Sequence, residues 1–239
     1  MDFSGIQKLT LLDYPGKVAA TLFSPGCNLR CPFCQNKYLV LGEEQSDGTR
    51  AFPLLPEDAF GEFLDSRSGL LDGICLTGGE PLLQDGIDRC CADIHAHGLL
   101  VKLDTNGTLP ARLEYLLDAG MLDYVALDVK NVPARYAETV GRTDFDFSVV
   151  RQSLDALRRS GIPYELRTTV TRELHTADNL LELAGMLSDG PAWYLQQFRE
   201  SAGIIAGTGV FHAWSASDMR KLLPRLQDAC PAARLRGFD

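Results

Sequence analysis

Three cysteines of this chain have the types and spacing that could hold an inorganic cluster. Cys27, Cys31 and Cys34 follow the pattern C-x3-C-x2-C within residues 24–36, a segment that two prolines keep out of regular helix and strand. Clustered thiols of this kind are more often metal ligands or redox groups than disulfides. Three ligands suit a [4Fe-4S] cluster with one iron left open, whereas structural zinc takes four protein ligands. The pattern therefore favours the iron–sulfur cluster over closed zinc and over an accidental group of thiols.

The loop also resembles that of a known family. With the aromatic Phe33 just before the third cysteine, it is similar to the cluster loop of radical S-adenosylmethionine (radical SAM) enzymes. In that family the open iron binds the amino and carboxylate groups of SAM, and the aromatic residue lies near the adenine. The resemblance implies that an electron from the reduced cluster cleaves the sulfonium and releases a 5′-deoxyadenosyl radical, which abstracts hydrogen.

A glycine pair forms the second motif, in the segment Gly78-Gly79-Glu80-Pro81 after a predicted strand. Paired glycines let a backbone approach a ligand closely, but alone the string could be a tight turn between a strand and a helix. Radical SAM enzymes carry a matching Gly-Gly-Glu-Pro, and the resemblance implies that these four residues receive the SAM amino group.

Two more polar segments end predicted strands. Asp104 and Asn106 lie in Asp-Thr-Asn-Gly, and Asp128 and Lys130 lie in Asp-Val-Lys. Without a functional role, Asp104 and Asn106 could simply form an Asx turn, and Asp128 and Lys130 an exposed ion pair. In glycyl-radical-enzyme activases, which the chain resembles, matching segments contact SAM, and the aspartates can hold a monovalent cation against its carboxylate. Oxygen ligands suit such a hard ion.

Three further polar residues lie within or at the end of strands. Arg167 interrupts an apolar strand, and a buried arginine needs a carboxylate partner from the protein or from a ligand. Gln196 and Gln197 end the last predicted strand. They could line the substrate side or bond to neighbouring loops.

Strands and helices alternate along the chain, which implies parallel strands joined by right-handed crossovers. We expect strands at 17–23, 73–77, 99–104, 123–129, 164–170 and 192–198, and helices at 56–67, 82–97, 109–119, 147–160, 177–187 and 215–229. The polar residues fall at strand ends, which converge at the mouth of a barrel. The resemblance implies an α/β radical SAM fold, a partial (β/α)6 TIM-like barrel of parallel strands. We expect one domain over 1–239, with the cluster loop at 24–36, a surface excursion at 42–50, and a C-terminal helix and tail at 215–239.

Composition limits the partners. The chain has 239 residues, 45% of them hydrophobic, and a formal net charge of -9, which argues against general affinity for nucleic acid or anionic lipid. The first residues lack a secretion-signal pattern and no apolar run is long enough for a membrane span, so the sequence predicts a cytoplasmic protein. A protein or small-molecule partner is expected.

Nearly the whole chain resembles the activating proteins of anaerobic ribonucleoside-triphosphate reductase. The resemblance implies a glycyl radical enzyme as protein substrate and flavodoxin or ferredoxin as electron donor. Two departures stand out: Gln35 replaces the histidine of many activases, and no cysteine lies between Cys34 and Cys75 to supply a ferredoxin-like insert. The second departure favours the simpler activases, which include that of pyruvate formate-lyase.

Two alternatives remain open from the sequence. The first is a radical SAM enzyme acting on a small molecule, similar to 7-carboxy-7-deazaguanine synthase. The second is a non-catalytic metal-binding module that keeps the cysteine loop for stability or sensing.

Overall fold

The strands of the protein form one long sheet and one small hairpin. The computed structural model describes residues 1–44, 50–52, 54–56 and 58–238. The strands are β1 (Gly5–Thr10), β2 (Ala19–Ser24), β3 (Glu43–Glu44), β4 (Arg50–Ala51), β5 (Gly73–Gly78), β6 (Leu100–Thr105), β7 (Tyr124–Asp128), β8 (Tyr164–Val170), β9 (Trp193–Gln197) and β10 (Ala233–Arg236). The helices are α1 (Lys37–Leu41), α2 (Ala59–Arg67), α3 (Ile87–Ala96), α4 (Pro110–Asp118), α5 (Pro133–Val140), α6 (Ser148–Ser160), α7 (Ala177–Met186) and α8 (Ala216–Ala229).

The large sheet has the order β1-β2-β5-β6-β7-β8-β9-β10. All six predicted strands, from β2 to β9 in this order, are present and pair in parallel. The described residues form no ladder between β1 and β10, so the sheet is an open barrel. The predicted partial (β/α)6 TIM-like barrel is therefore confirmed, and each crossover between neighbouring parallel strands contains at least one helix.

Two strands of the large sheet were not predicted. β1 runs antiparallel to β2, and β10, expected only as a tail, runs parallel to β9. β10 has four residues, too few for alternation to separate it from a loop. Its place is secured by Arg236, whose guanidinium donates to both carboxylate oxygens of the buried Glu165 at 3.0 and 2.8 Å. The predicted C-terminal tail therefore extends the sheet, except for Asp239, which lies outside the described residues.

Boundaries differ from the predictions where short turns intervene. The helix expected from residue 82 begins at Ile87, because Pro81–Leu83 forms a 3-10 helix first. The helix expected from residue 56 begins at Ala59, and Glu57 lies outside the described residues. Within the predicted excursion at 42–50, Glu43–Glu44 pairs with Arg50–Ala51, and residues 45–49 lie outside the described ranges.

The two faces of the sheet have different chemistry. The outer face packs against helices and is apolar; Val101, Leu103 and Leu127, for example, have no exposed surface. The inner face carries polar side chains at alternate positions, because residues two apart in a strand share a face. In the register of β7 and β8, Asp128 lies beside Arg167. The fold thus places charged groups on the concave side of the sheet.

The described helices contain no segment with both the length and the apolar character needed to cross a bilayer.

Candidate active site

One cavity lies at the carboxyl ends of the parallel strands. Its volume is about 190 Å³, and it is partly open to solvent. Its walls come from the cysteine loop and from the ends of β5, β6, β7 and β8. The predicted site residues that line it are Cys27, Cys31, Cys34, Gly78, Gly79, Asp104, Asn106, Asp128, Lys130 and Arg167.

The three thiols lie on one side of this cavity. Burial raises the pKa of Cys27 to about 11 and that of Cys31 to about 12, and it raises the pKa of Cys34 in the same direction. All three are therefore protonated thiols at neutral pH in the metal-free chain. Metal binding needs thiolates, so cluster assembly must displace these protons.

The donor set fits a multi-iron cluster. Among the described residues, no three Cys, His, Asp or Glu side chains meet closely enough to surround a single metal ion. The three sulfurs nevertheless line one cavity. In an iron–sulfur cluster each thiolate binds a different iron atom, which requires sulfurs spread around a space rather than converging on a point. The arrangement matches a cluster better than a tetrahedral zinc site.

The glycine pair joins the cysteine loop to the sheet. The Gly79 N–H donates to the carbonyl of Ser24 at 2.9 Å, and the Glu80 N–H donates to that of Gly26 at 2.8 Å. A Cβ at Gly79 would lie 1.8 Å from the Gly26 oxygen. Gly78 has φ 113°, and a Cβ there would lie 2.6 Å from the backbone of Ser24. Both positions therefore need glycine so that the two backbones can approach.

We expect Gly79→Ala to push the cysteine loop away from β5, since backbone rather than a flexible side chain occupies the space. Overpacking of this kind costs roughly 1–3 kcal/mol. The iron content after anaerobic reconstitution shows whether the displaced loop still assembles a cluster. Urea unfolding measures the loss of stability. Gly185→Ala in α7 is the matched control, because a Cβ there meets nothing within 4 Å and should stabilise the helix by about 0.5–1 kcal/mol. Unchanged iron binding and stability in Gly79→Ala would contradict the expectation.

Glu80 and Pro81 do not line the cavity. The Glu80 side chain is 1% exposed and accepts hydrogen bonds from the Leu82 N–H at 3.1 Å, the Thr105 hydroxyl at 2.8 Å and the Asn106 N–H at 2.8 Å. Burial raises the pKa of Glu80 to about 7, although these three donors favour the carboxylate. In this arrangement Glu80 links the glycine turn to the end of β6. Its predicted contact with the SAM amino group stays a prediction.

Three other predicted residues also lie outside the cavity wall. Phe33 is buried and packs edge to face against Phe211, with ring centroids 6.2 Å apart. Gln196 and Gln197 are half-buried at the end of β9, beside β10. The expected adenine contact of Phe33 and the substrate role of the two glutamines remain predictions.

Asn106 forms the expected turn and also contacts the cysteine loop, while its predicted contact with SAM stays a prediction. Its side-chain oxygen accepts from the Thr108 N–H at 3.0 Å and the Thr108 hydroxyl at 2.6 Å, which is the expected Asx turn. Its amide group donates to the Asn28 oxygen at 3.1 Å and lies 3.7 Å from the Cys27 sulfur. A turn residue therefore also contacts the cysteine loop at the cavity.

A chain of alternating charges also lies at the cavity, which it lines through Asp104, Asp128, Lys130 and Arg167. The Arg167 guanidinium donates to Asp104 Oδ2 at 2.9 Å and to Asp128 Oδ1 at 2.8 Å, and the Lys130 ammonium donates to Asp128 Oδ2 at 3.1 Å. Lys102 completes the chain through Asp104 Oδ1. We call these five residues the charged chain. Arg167 thus has two carboxylate partners from the protein itself. Lys102 was missed, although a lysine inside the apolar strand β6 carries the same signal as Arg167.

Burial alone would raise the pKa of Asp128, but Arg167 and Lys130 hold it at about 2. Since the ordinary value is 3.8, the folded chain gains stability from this carboxylate above pH 4 and loses it as pH falls toward 2. The contribution is about 2 kcal/mol. We expect the difference in unfolding free energy between wild type and Asp128→Asn to narrow between pH 4 and pH 2 in urea titrations.

The same substitution at Asp85, a fully exposed carboxylate, is the control for this measurement. If the difference in unfolding free energy between wild type and Asp128→Asn stays constant down to pH 2, the result would contradict the lowered pKa of Asp128.

Comparisons with known proteins agree with this geometry. The sequence model of the family described as "Radical SAM superfamily" matches residues 21–184. The chain is 31% identical over 201 residues to "Putative glycyl-radical enzyme activating enzyme MJ1227" of Methanocaldococcus jannaschii, covering 82% of this chain and 79% of that protein. It is 34% identical over 158 residues to the 7-carboxy-7-deazaguanine synthase of Hyperthermus butylicus, covering 58% of this chain and 62% of the synthase.

The fold is also found among solved structures. Streptococcus suis SuiB bound to S-adenosylmethionine superposes with a TM-score of 0.64 at 16% identity, over 91% of this chain and 52% of SuiB. The chain thus spans about half the length of SuiB and less than two thirds of the synthase. At this identity the SuiB match shows the fold alone. Radical SAM enzymes use a [4Fe-4S] cluster and SAM, in keeping with the three sulfurs in the cavity. By its sequence match over residues 21–184, this chain belongs to the radical SAM superfamily.

Proposed function

We propose that this radical SAM enzyme is an activating enzyme for a glycyl radical enzyme, and that the cavity is its SAM site. The observation that carries the proposal is the shared cavity itself: it is lined both by the three thiols and by four members of the charged chain, Asp104, Asp128, Lys130 and Arg167. The similarity to "Putative glycyl-radical enzyme activating enzyme MJ1227", over 82% of this chain and 79% of that protein, supports the choice of reaction class.

In this proposal Cys27, Cys31 and Cys34 hold the cluster. Together with bound SAM, the cluster would supply a 5′-deoxyadenosyl radical, an acceptor for one hydrogen atom. The roles of the chain's own residues follow from their contacts. Gly78 and Gly79 keep the cysteine loop against β5, so the thiols keep their positions when a ligand enters.

The charged chain would bind the amino acid part of SAM. Arg167 and Lys130 present fixed cationic groups to the cavity, and both are held by Asp128. A pre-positioned guanidinium or ammonium binds a carboxylate without reorganisation. Gly78 and Asn106 also line the cavity and would contact the rest of the ligand.

The partner would be a glycyl radical enzyme, with anaerobic ribonucleoside-triphosphate reductase as the first candidate and pyruvate formate-lyase as the second. One hydrogen atom would leave a glycine of the partner, and 5′-deoxyadenosine would be formed. The electron would come from reduced flavodoxin or ferredoxin. Arg30 and Arg142 are exposed beside the cysteine loop, where they could meet an acidic electron donor despite the net charge of -9.

Two measurements test the proposal. Anaerobically reconstituted protein, reduced in the presence of SAM, should release 5′-deoxyadenosine and methionine. If SAM is not cleaved, the result would favour the alternative of a non-catalytic metal-binding module. Incubation with each candidate glycyl radical enzyme should then produce a persistent glycine-centred doublet in electron paramagnetic resonance. SAM cleavage without a doublet on either partner would contradict the activase assignment.

A small-molecule reaction is the second candidate function. It is favoured by the 34% identity to 7-carboxy-7-deazaguanine synthase over 158 residues. The matched part covers 58% of this chain, compared with 82% for the activating enzyme. Formation of 7-carboxy-7-deazaguanine by the reduced, SAM-loaded protein, detected by mass spectrometry, would favour this candidate.

A further inference from the structure

Lys102 lies in an unusual position for a lysine. It is in the middle of β6, its side chain is 1% exposed, and its neighbours Val101 and Leu103 are fully buried. Its ammonium contacts Asp104 Oδ1 and lies 3.7 Å from the sulfur of Cys75. A buried ammonium is costly unless paired, and a leucine would suit the strand equally well. The lysine is therefore best explained by the charge it brings to Asp104.

The carboxylates of the charged chain have no oxygen without a cationic partner. Asp104 accepts from Lys102 through Oδ1 and from Arg167 through Oδ2. Asp128 accepts from Arg167 through Oδ1 and from Lys130 through Oδ2. A monovalent metal cation between these aspartates, as the resemblance predicts, would need the same oxygens. The residues present do not fit such an ion.

Counting charges explains what Lys102 contributes. Lys102, Arg167 and Lys130 supply three positive charges, and Asp104 and Asp128 supply two negative ones, so the charged chain has a net charge of +1. One ligand carboxylate would bring it to zero. Without Lys102 the charges of the remaining four side chains would already sum to zero. A ligand carboxylate would then add one negative charge that no side chain of the charged chain compensates. A cation from solution would then be needed.

We propose that Lys102 is a built-in cation of the SAM carboxylate site, which replaces a monovalent metal ion and makes SAM binding by this chain independent of potassium and sodium. A side-chain ammonium is already in place when the ligand arrives, whereas an ion must be captured from solution. The inference rests on SAM binding in the cavity and does not depend on which partner receives the radical.

The test compares wild type with Lys102→Met, which keeps an unbranched side chain of similar length without the charge. SAM affinity of the anaerobically reconstituted proteins is measured by calorimetry across a potassium chloride series, with choline chloride keeping ionic strength constant. Wild-type affinity should stay flat. The variant should bind roughly 10- to 100-fold more weakly in choline chloride and recover with potassium. When the logarithm of the variant's SAM association constant is plotted against the logarithm of potassium concentration, the slope should approach one, as expected when one ion binds together with the ligand.

Lys8→Met is the matched control, since Lys8 is exposed on β1 and the substitution should change neither affinity nor its salt dependence. Wild-type affinity that rises with potassium would overturn the inference, and this arm needs no variant to fold. Loss of binding in a folded Lys102→Met protein that neither potassium nor sodium restores would also overturn it. A wild type that binds no SAM in any salt would overturn the proposed site and this inference together.

Discussion

Replacing Cys31 by alanine is expected to leave a folded protein that assembles no [4Fe-4S] cluster. Cys31 is 7% exposed and lies between the other two thiols of the loop. If each thiolate holds a different iron, the loss of one leaves two protein ligands, too few for stable assembly. Iron and sulfide content, visible absorbance and SAM cleavage should all fall to the background of the unreconstituted protein. The loss of a residue that supports a metal ligand typically lowers activity by roughly 10- to 100-fold, so the loss of a ligand itself should lower SAM cleavage by at least that factor.

Cys90→Ala is the matched control. Cys90 is buried in α3, away from the cavity, and alanine suits a helix well. It should keep full iron content, with at most a modest loss of stability. Equal iron content in the Cys31 and Cys90 variants would mean that the loop cysteines are not the cluster ligands.

Arg167→Met is expected to cost about 3–5 kcal/mol of folding free energy, because it leaves buried carboxylates without their shared partner. The guanidinium holds Asp104 and Asp128 at once, and the side chain is 14% exposed. Burial alone would raise the pKa of both aspartates, and Arg167 is a leading cause that keeps them below the ordinary range, so its removal shifts both pKa values upward and costs the carboxylates their main stabilising partner. Urea unfolding at pH 7 measures the change, and SAM affinity should fall with it.

Arg158→Met provides the comparison. Arg158 also contacts two carboxylates, Asp155 and Asp189, but these are 45% and 64% exposed. Ion pairs of that kind contribute about 0–1 kcal/mol. Arg167→Lys should recover part of the stability, since an ammonium can serve one aspartate well but lacks the planar fork that reaches both. Equal losses for the Arg167 and Arg158 variants would show that the charged chain is not a buried network.

Much of the fold could be predicted because its signals are local. Each of the six parallel strands is a short apolar run followed by a helix, and most of the boundaries depart from the sequence prediction by only a few residues. β1 and β10 were missed for a physical reason. β1 has three exposed residues in a row, Gln7, Lys8 and Leu9, and β10 has only four residues, so neither strand shows a clear alternation of buried and exposed positions.

The site was only partly accessible to sequence reasoning. The cysteine spacing and the glycine turn are contiguous motifs, and they indicated a cluster and a close backbone approach before any coordinates. Lys102 was overlooked since its significance depends on Asp104 and Arg167, and residues 102 and 167 come together through strand pairing across β6, β7 and β8. The hydrogen bonds that Glu80 accepts from Thr105 and Asn106 were equally invisible in the sequence, because these residues lie 25 and 26 positions away.

By itself, the sequence determined the superfamily, the alternation of strands and helices, and the three thiols, because each of these depends on residues close together in the chain. The tertiary structure decided which charges meet. Whether Arg167 faces a ligand or the protein's own aspartates, and whether those aspartates have room for a metal ion, depends on strand register and on the distances between side chains. Register is a property of the assembled sheet, so no single segment of the sequence contains it.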